Sequence, residues 1–147
     1  MLARLALMTS LAALGPAQAT TQDDVLSAAL VPGWQTPSGS HMAAVNLTLA
    51  PGWKTYWRSP GDAGIPPSFN WSGSQNVGSV RIHWPAPSVF HSNGMQSIGY
   101  HDHLLLPVEV KPLDPSLPVV LSLKMELGVC DEICLPATVM LLSLIHI

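Results

Sequence analysis

Val119-Val120-Leu121-Ser122-Leu123-Lys124-Met125-Glu126-Leu127-Gly128-Val129-Cys130 sets Val119, Leu121, Leu123, Met125 and Leu127 on one side of an extended chain and Ser122, Lys124 and Glu126 on the other. Alternation of this length predicts a strand with one buried and one solvated face. The same period recurs upstream. Val45, Leu47 and Leu49 alternate with Asn46 and Thr48, and Val80, Ile82 and Trp84 alternate with Arg81 and His83. Leu104 to Val110 reads as another strand, and Pro107 within it predicts a sheet edge or a bulge, because proline cannot donate to a ladder. A further strand is expected around Ser27 to Val31. Pro32-Gly33, Pro51-Gly52, Ser59-Pro60-Gly61-Asp62, Ile65-Pro66-Pro67 and Ser92-Asn93-Gly94 punctuate these runs with turn residues, and no stretch has a helical period. Small barrels share this pattern, but the expected fold is all-β, an immunoglobulin-like antiparallel β-sandwich.

The 147 residues suffice for one domain, and 14 Pro, 11 Gly and 10% charged residues favour short strands with frequent turns over long solvated helices. Residues 1–19 read as a cleavable signal peptide. Arg4 supplies the positive start, Leu5 to Leu14 an apolar core too short to span a bilayer, and Ala17-Gln18-Ala19 the small-x-small cleavage site. Its removal leaves five Lys and Arg against nine Asp and Glu, a formal charge of −4. A mildly acidic chain without a basic stripe argues against nucleic acid as the partner. At the other end, residues 142–147, Leu-Ser-Leu-Ile-His-Ile, are the translation of CTG TCT CTT ATA CAC ATC, a string that looks like the transposase end used to prepare sequencing libraries. The expectation is a sandwich domain over 20–141 that is C-terminally truncated and continues in the native protein. A native stop codon directly after Ile147 would contradict it.

Two cysteines occur, in Gly128-Val129-Cys130-Asp131-Glu132-Ile133-Cys134-Leu135-Pro136. An extended strand would hold their Cα atoms roughly 13 Å apart, far beyond the ~7 Å a disulfide spans, so a bonded pair requires the chain to turn at Cys130. A structural bridge is the common fate of paired cysteines in exported proteins. Closing a five-residue loop, however, constrains the unfolded chain by only about 2 kcal/mol. A bridge that stabilises so little suits exchange better than stapling. Asp131 and Glu132 lie between the thiols and oppose thiolate formation, which predicts that the oxidised pair is attacked by a partner's activated thiolate.

Three co-linear segments, Pro51-Gly52-Trp53-Lys54-Thr55-Tyr56-Trp57-Arg58-Ser59-Pro60-Gly61-Asp62-Ala63-Gly64, then Gly99-Tyr100-His101-Asp102-His103-Leu104-Leu105-Leu106-Pro107-Val108, then the cysteine segment, resemble the N-terminal periplasmic domain of DsbD-type and ScsB-type thiol:disulfide interchange proteins. The resemblance spans roughly residues 25 to 140. It implies an immunoglobulin-like fold and a place in a protein-disulfide reductase. It also implies reduction by a thioredoxin-like domain fed from a membrane-embedded electron carrier, and delivery of electrons to periplasmic disulfide isomerases or cytochrome c maturation proteins. Cys130 and Cys134 would perform the chemistry without a cofactor, Cys134 forming the mixed disulfide and Cys130 resolving it. Tyr56 and Tyr100 would line the site, with burial behind a satisfied hydroxyl as the equal alternative, and the loops around Trp53 to Gly64 and Phe90 to Tyr100 would shape access to it. Two departures stand out: the better-known members place five residues between their cysteines where this chain has three, and their aromatic cap loop corresponds here to Phe90-His91-Ser92-Asn93-Gly94-Met95, in which Phe90 or Met95 is the candidate lid.

Rival readings rest on other residues. His101 and His103, two apart on an expected strand, would share a face and, with His91 and Met95, suggest copper, although they make an incomplete ligand set. Trp34, Trp53, Trp57, Trp71 and Trp84 suggest a sugar-stacking platform, for which core packing is the ordinary alternative. Either would make the chain an exported β-sandwich binding module with a structural disulfide. Asp62, Asp102 and Glu109 form no recognisable acid/base pair, and no nucleophilic serine or phosphate-loop motif occurs.

Overall fold

The computed structural model describes residue 15 and residues 18–146, so the leader read over 1–19 falls almost wholly outside the described residues. These form one helical turn, α1 (Gln22–Val25), and ten strands: β1 (Leu26–Gln35), β2 (His41–Leu49), β3 (Lys54–Gly61), β4 (Ser68–Asn70), β5 (Val77–Ile82), β6 (Ser88–Ser92), β7 (Met95–His101), β8 (His103–Pro112), β9 (Val119–Cys130) and β10 (Cys134–Ile145). One sheet has the order β1-β2-β8-β5, the other β10-β9-β3-β7-β6 with β4 joined to β9. All these pairings are antiparallel. The all-β sandwich expected from the alternation is the architecture observed.

The buried positions follow period two. Val45 and Leu47 on β2, Leu106, Val108 and Val110 on β8, and Val119, Leu121, Leu123, Met125 and Val129 on β9 face one another across the two sheets in a single core cluster. Each such side chain contributes roughly 1.5–3 kcal/mol when fully buried. Trp53, Trp57, Trp71 and Trp84 pack against this cluster, whereas Trp34 is 68% exposed, so the five tryptophans share no platform.

Three local expectations differ from the structure. β8 is an interior strand between β2 and β5, not an edge. Pro107 is accommodated because its carbonyl accepts from the His83 backbone N–H at 2.9 Å, one residue past the end of β5. A residue's nitrogen and carbonyl share one edge of an antiparallel strand, so the missing donor of Pro107 faces the side on which the neighbour has just ended. Second, His101 and His103 do not share a face. Asp102 takes a positive φ of 61° and turns the chain between β7 and β8, which belong to different sheets. Third, residues 142–145, set apart from the fold in the sequence, continue β10 opposite Val119–Ser122. Pairing of this kind follows from apolar alternation and bears on the strand's length, not on its origin.

Candidate functional site

The site sits at the tip of the β9–β10 hairpin, where Cys130 and Cys134 are directly opposed, their Cα atoms 4.1 Å apart, and joined by a disulfide. The chain turns at Cys130 as the spacing requires, through Asp131-Glu132-Ile133, and the Asp131 N–H donates to the Ile133 carbonyl at 2.9 Å. Behind the pair, Gly128 opposes Pro136. β10 is the edge strand of its sheet, where a proline is tolerated.

Directly opposed residues share a face. Register therefore sets Cys134, Cys130, Lys54 and His101 in one row across β10, β9, β3 and β7. Because Val129 and Leu127 face the core, this row lies on the outer face of the second sheet. Cys130 is nonetheless only 1% exposed, while Cys134 is open to solvent. The two sulfurs are thus unequal: an incoming group meets Cys134 first.

The segment 61–67 shelters the outer face behind the pair. A Cβ at Gly128 would lie 2.9 Å from Ile65 Cδ1, and one at Gly64 would lie 2.9 Å from Tyr56 Cδ1. Glycine at those two positions lets the segment lie close against the strands. Tyr56, opposite Gly99, is buried outside the core cluster, and that burial pushes its hydroxyl pKa up. The Thr55 hydroxyl, on the inner face, donates to the Gly128 carbonyl at 2.9 Å, tying β3 to β9 beside their Lys54–Cys130 pairing.

The remaining sequence candidates divide. Phe90 is half-buried on β6; its ring stands edge-on to His101 at 6.0 Å, with Lys54 Nζ 5.2 Å from its centroid. This places Phe90 beside the cysteine row. Met95 is 47% exposed at the start of β7, paired with Ser92 next to the tight Asn93-Gly94 turn, whose φ values of 51° and 77° are both positive. Tyr100 stands on the opposite face of β7, in the core, and donates its hydroxyl to the Pro85 carbonyl at 2.9 Å. Burial pushes its pKa up to about 12, the nearby Arg58 charge partly opposing this. His101 Nδ1 lies 2.8 Å from Asp102 Oδ2, and His103 Nε2 pairs with Asn46 Oδ1. Among the described residues, no group of three or more His, Cys, Asp or Glu is arranged to hold a metal ion.

Sequence reasoning missed Lys54 and Ile65, whose relation to the cysteines depends on long-range register. Gly128 was the available signal, since a glycine on the outward face of an otherwise full strand marks a close approach.

A family model for the N-terminal domain of thiol:disulfide interchange protein DsbD matches residues 23–145. The crystal structure of the N-terminal periplasmic domain of ScsB from Proteus mirabilis superposes with a TM-score of 0.67 at 33% identity, over 84% of this chain and 48% of that one. The chain therefore spans about half the length of that solved domain. No curated protein matches the sequence. With the family model covering most of its length, the chain belongs to the family of the DsbD N-terminal domain.

Proposed function

We propose that this domain performs thiol:disulfide exchange in the periplasm, passing electrons from a thioredoxin-like donor, supplied by a membrane-embedded carrier, to periplasmic thiol-disulfide proteins such as disulfide isomerases or cytochrome c maturation proteins. The observation that carries the reading is the inequality of the sulfurs: solvent-open Cys134 is bonded to buried Cys130 at a hairpin tip. Family membership and the periplasmic ScsB relative support the chemistry and the compartment. The leader read over residues 1–19 supplies export.

In the reducing half-cycle the donor thiolate attacks Cys134 Sγ. A donor–Cys134 bond forms, the Cys134–Cys130 bond breaks, and the electron pair goes to Cys130 Sγ, which then takes a proton. The donor's second thiolate attacks its own bridged sulfur and releases Cys134 as thiolate, leaving the donor oxidised and the domain reduced. In the oxidising half-cycle the Cys134 thiolate attacks an acceptor disulfide, whose bond breaks and releases one acceptor thiolate; Cys130, having lost its proton, then attacks Cys134 Sγ, restoring the bridge and expelling the second acceptor thiolate. Phe90, flanking the row, is the candidate lid and would limit which sulfurs reach Cys134. The two carboxylates of the loop leave the oxidised pair as the partner's target.

Trapping tests the order of attack. Cys130→Ser should accumulate a stable mixed disulfide through Cys134 with a thioredoxin-like protein, while Cys134→Ser should accumulate little. Equal trapping through both cysteines, or none, would contradict the assignment.

A further inference from the structure

We propose that Lys54 is a positioning residue for this exchange, its ammonium stabilising the thiolate that Cys130 becomes each time the disulfide opens. The inference rests on the exchange reading above. Lys54 is the residue at which β3 joins the β9 ladder, directly opposite Cys130 and on the same outer face. Opposed Cα atoms lie about 4.5–5.5 Å apart in such a pair. A lysine stem reaches roughly 6 Å and rotates freely about four bonds, so Cys130 Sγ falls within its sweep. With the bridge closed the sulfurs are neutral, and the ammonium rests over the Phe90 ring, 5.2 Å from its centroid. That is a weak hold at a half-buried ring. When the bridge opens, a full negative charge appears on a residue that is 1% exposed, where hydration is poor.

The other charges around Cys130 offer no substitute. On β7, His101 is already engaged by Asp102 Oδ2 at 2.8 Å. Asp131 and Glu132, in the hairpin loop, are solvent-exposed and of the wrong sign. The Asp131 carboxylate leans toward the Pro51-Gly52 turn, 3.8 Å from where a Gly52 Cβ would stand. Glu126, further along the outer face of β9, is paired with Lys124 at 3.5 Å. Tyr56 presents a neutral phenol, and the guanidinium of Arg58, further along β3, lies over the Trp57 ring at 5.1 Å, so Lys54 is the cation that the register sets directly opposite Cys130.

In the opening step the attacking thiolate bonds to Cys134 Sγ and the electron pair of the broken bond moves to Cys130, so the rate follows the stability of that leaving thiolate. In the closing step the same thiolate attacks Cys134 Sγ in the mixed disulfide, and its ionised fraction sets how soon it acts. One ammonium therefore serves both half-cycles.

The test compares the wild type with Lys54→Met, Lys54→Gln and Lys54→Arg, each checked for a native circular dichroism spectrum. The readouts are the rate of reduction by dithiothreitol and the glutathione equilibrium across pH. Lys54→Met and Lys54→Gln should be reduced about three- to ten-fold more slowly near neutral pH, a size suited to a partly shielded ion pair. Their equilibrium constants should match the wild type at about pH 6, where the reduced thiols are protonated, and shift several-fold toward the disulfide above about pH 9. Lys54→Arg should restore both, and added salt should narrow the gap. Rates and pH profiles unchanged in Lys54→Met and Lys54→Gln, with the pair still cycling, would overturn the role of Lys54 alone. So would an equal loss in Lys54→Arg, which would assign the effect to packing. A wild-type pair that never opens would overturn the exchange reading itself.

Discussion

Tyr100 and His101 are neighbours in the chain and occupy opposite faces of β7, the first in the core and the second in the cysteine row. Tyr100→Phe should therefore cost about 1 kcal/mol, the worth of its bond to the Pro85 carbonyl, without changing the rate of reduction by dithiothreitol. Urea titration and a reduction assay check both, and a slowed reaction would place Tyr100 at the site after all. Its ionisation also gives stability an alkaline limb. Below the ordinary value of 10 both folded and unfolded forms are neutral; above it the unfolded chain loses the proton first, so stability falls until the folded residue titrates at about 12. Tyr56, also raised by burial, adds to that limb, and Tyr100→Phe should shallow it. At this scale the cysteines were legible, because two thiols four positions apart permit few arrangements. Lys54 was not: its nearness to Cys130 is created by the pairing of β3 with β9, which no local spacing encodes.

The corner at Asp102 carries the chain from β7 in one sheet to β8 in the other, and the Asp102 carbonyl accepts the Leu49 backbone N–H at 2.7 Å. A positive φ of 61° suits Asp, Asn or Gly and disfavours a β-branched side chain. Asp102→Val should lower stability by about 1–2 kcal/mol while Asp102→Gly stays close to the wild type, as thermal melts would show. An equal loss in both would point instead to the His101–Asp102 pair. The strands themselves were legible from period two, since β2, β8 and β9 each bury one face. The corner was not, because Asp102 lies between two histidines that fit an uninterrupted strand equally well. Pro107 misled in the same way. Proline forbids a ladder bond at its own nitrogen but does not exclude an interior strand whose neighbour stops one residue short.

Across the whole molecule the core lies between the two sheets, and the disulfide lies outside it, on the outer face of the second sheet. Opening the bridge removes no side chain from that core and releases only a short loop, a constraint worth about 2 kcal/mol. This separation predicts that the domain holds its shape in both redox states. It was legible only in part: alternation identified a sandwich and the Trp53–Gly64 loop was expected near the pair, but the seating of Ile65 over Gly128 on the outer face of β9 comes from long-range packing that no local pattern encodes. Exchange requires the Cys130–Cys134 bond to open and reclose on an intact fold. Equilibration in glutathione buffers, with thiols counted by alkylation and tertiary structure followed by tryptophan fluorescence, tests it directly. The expected result is a reversible two-electron transition with a midpoint above about −300 mV and a native spectrum at both ends. A pair still bridged at the most reducing end of that range, or one whose reduction unfolds the sandwich, would contradict it.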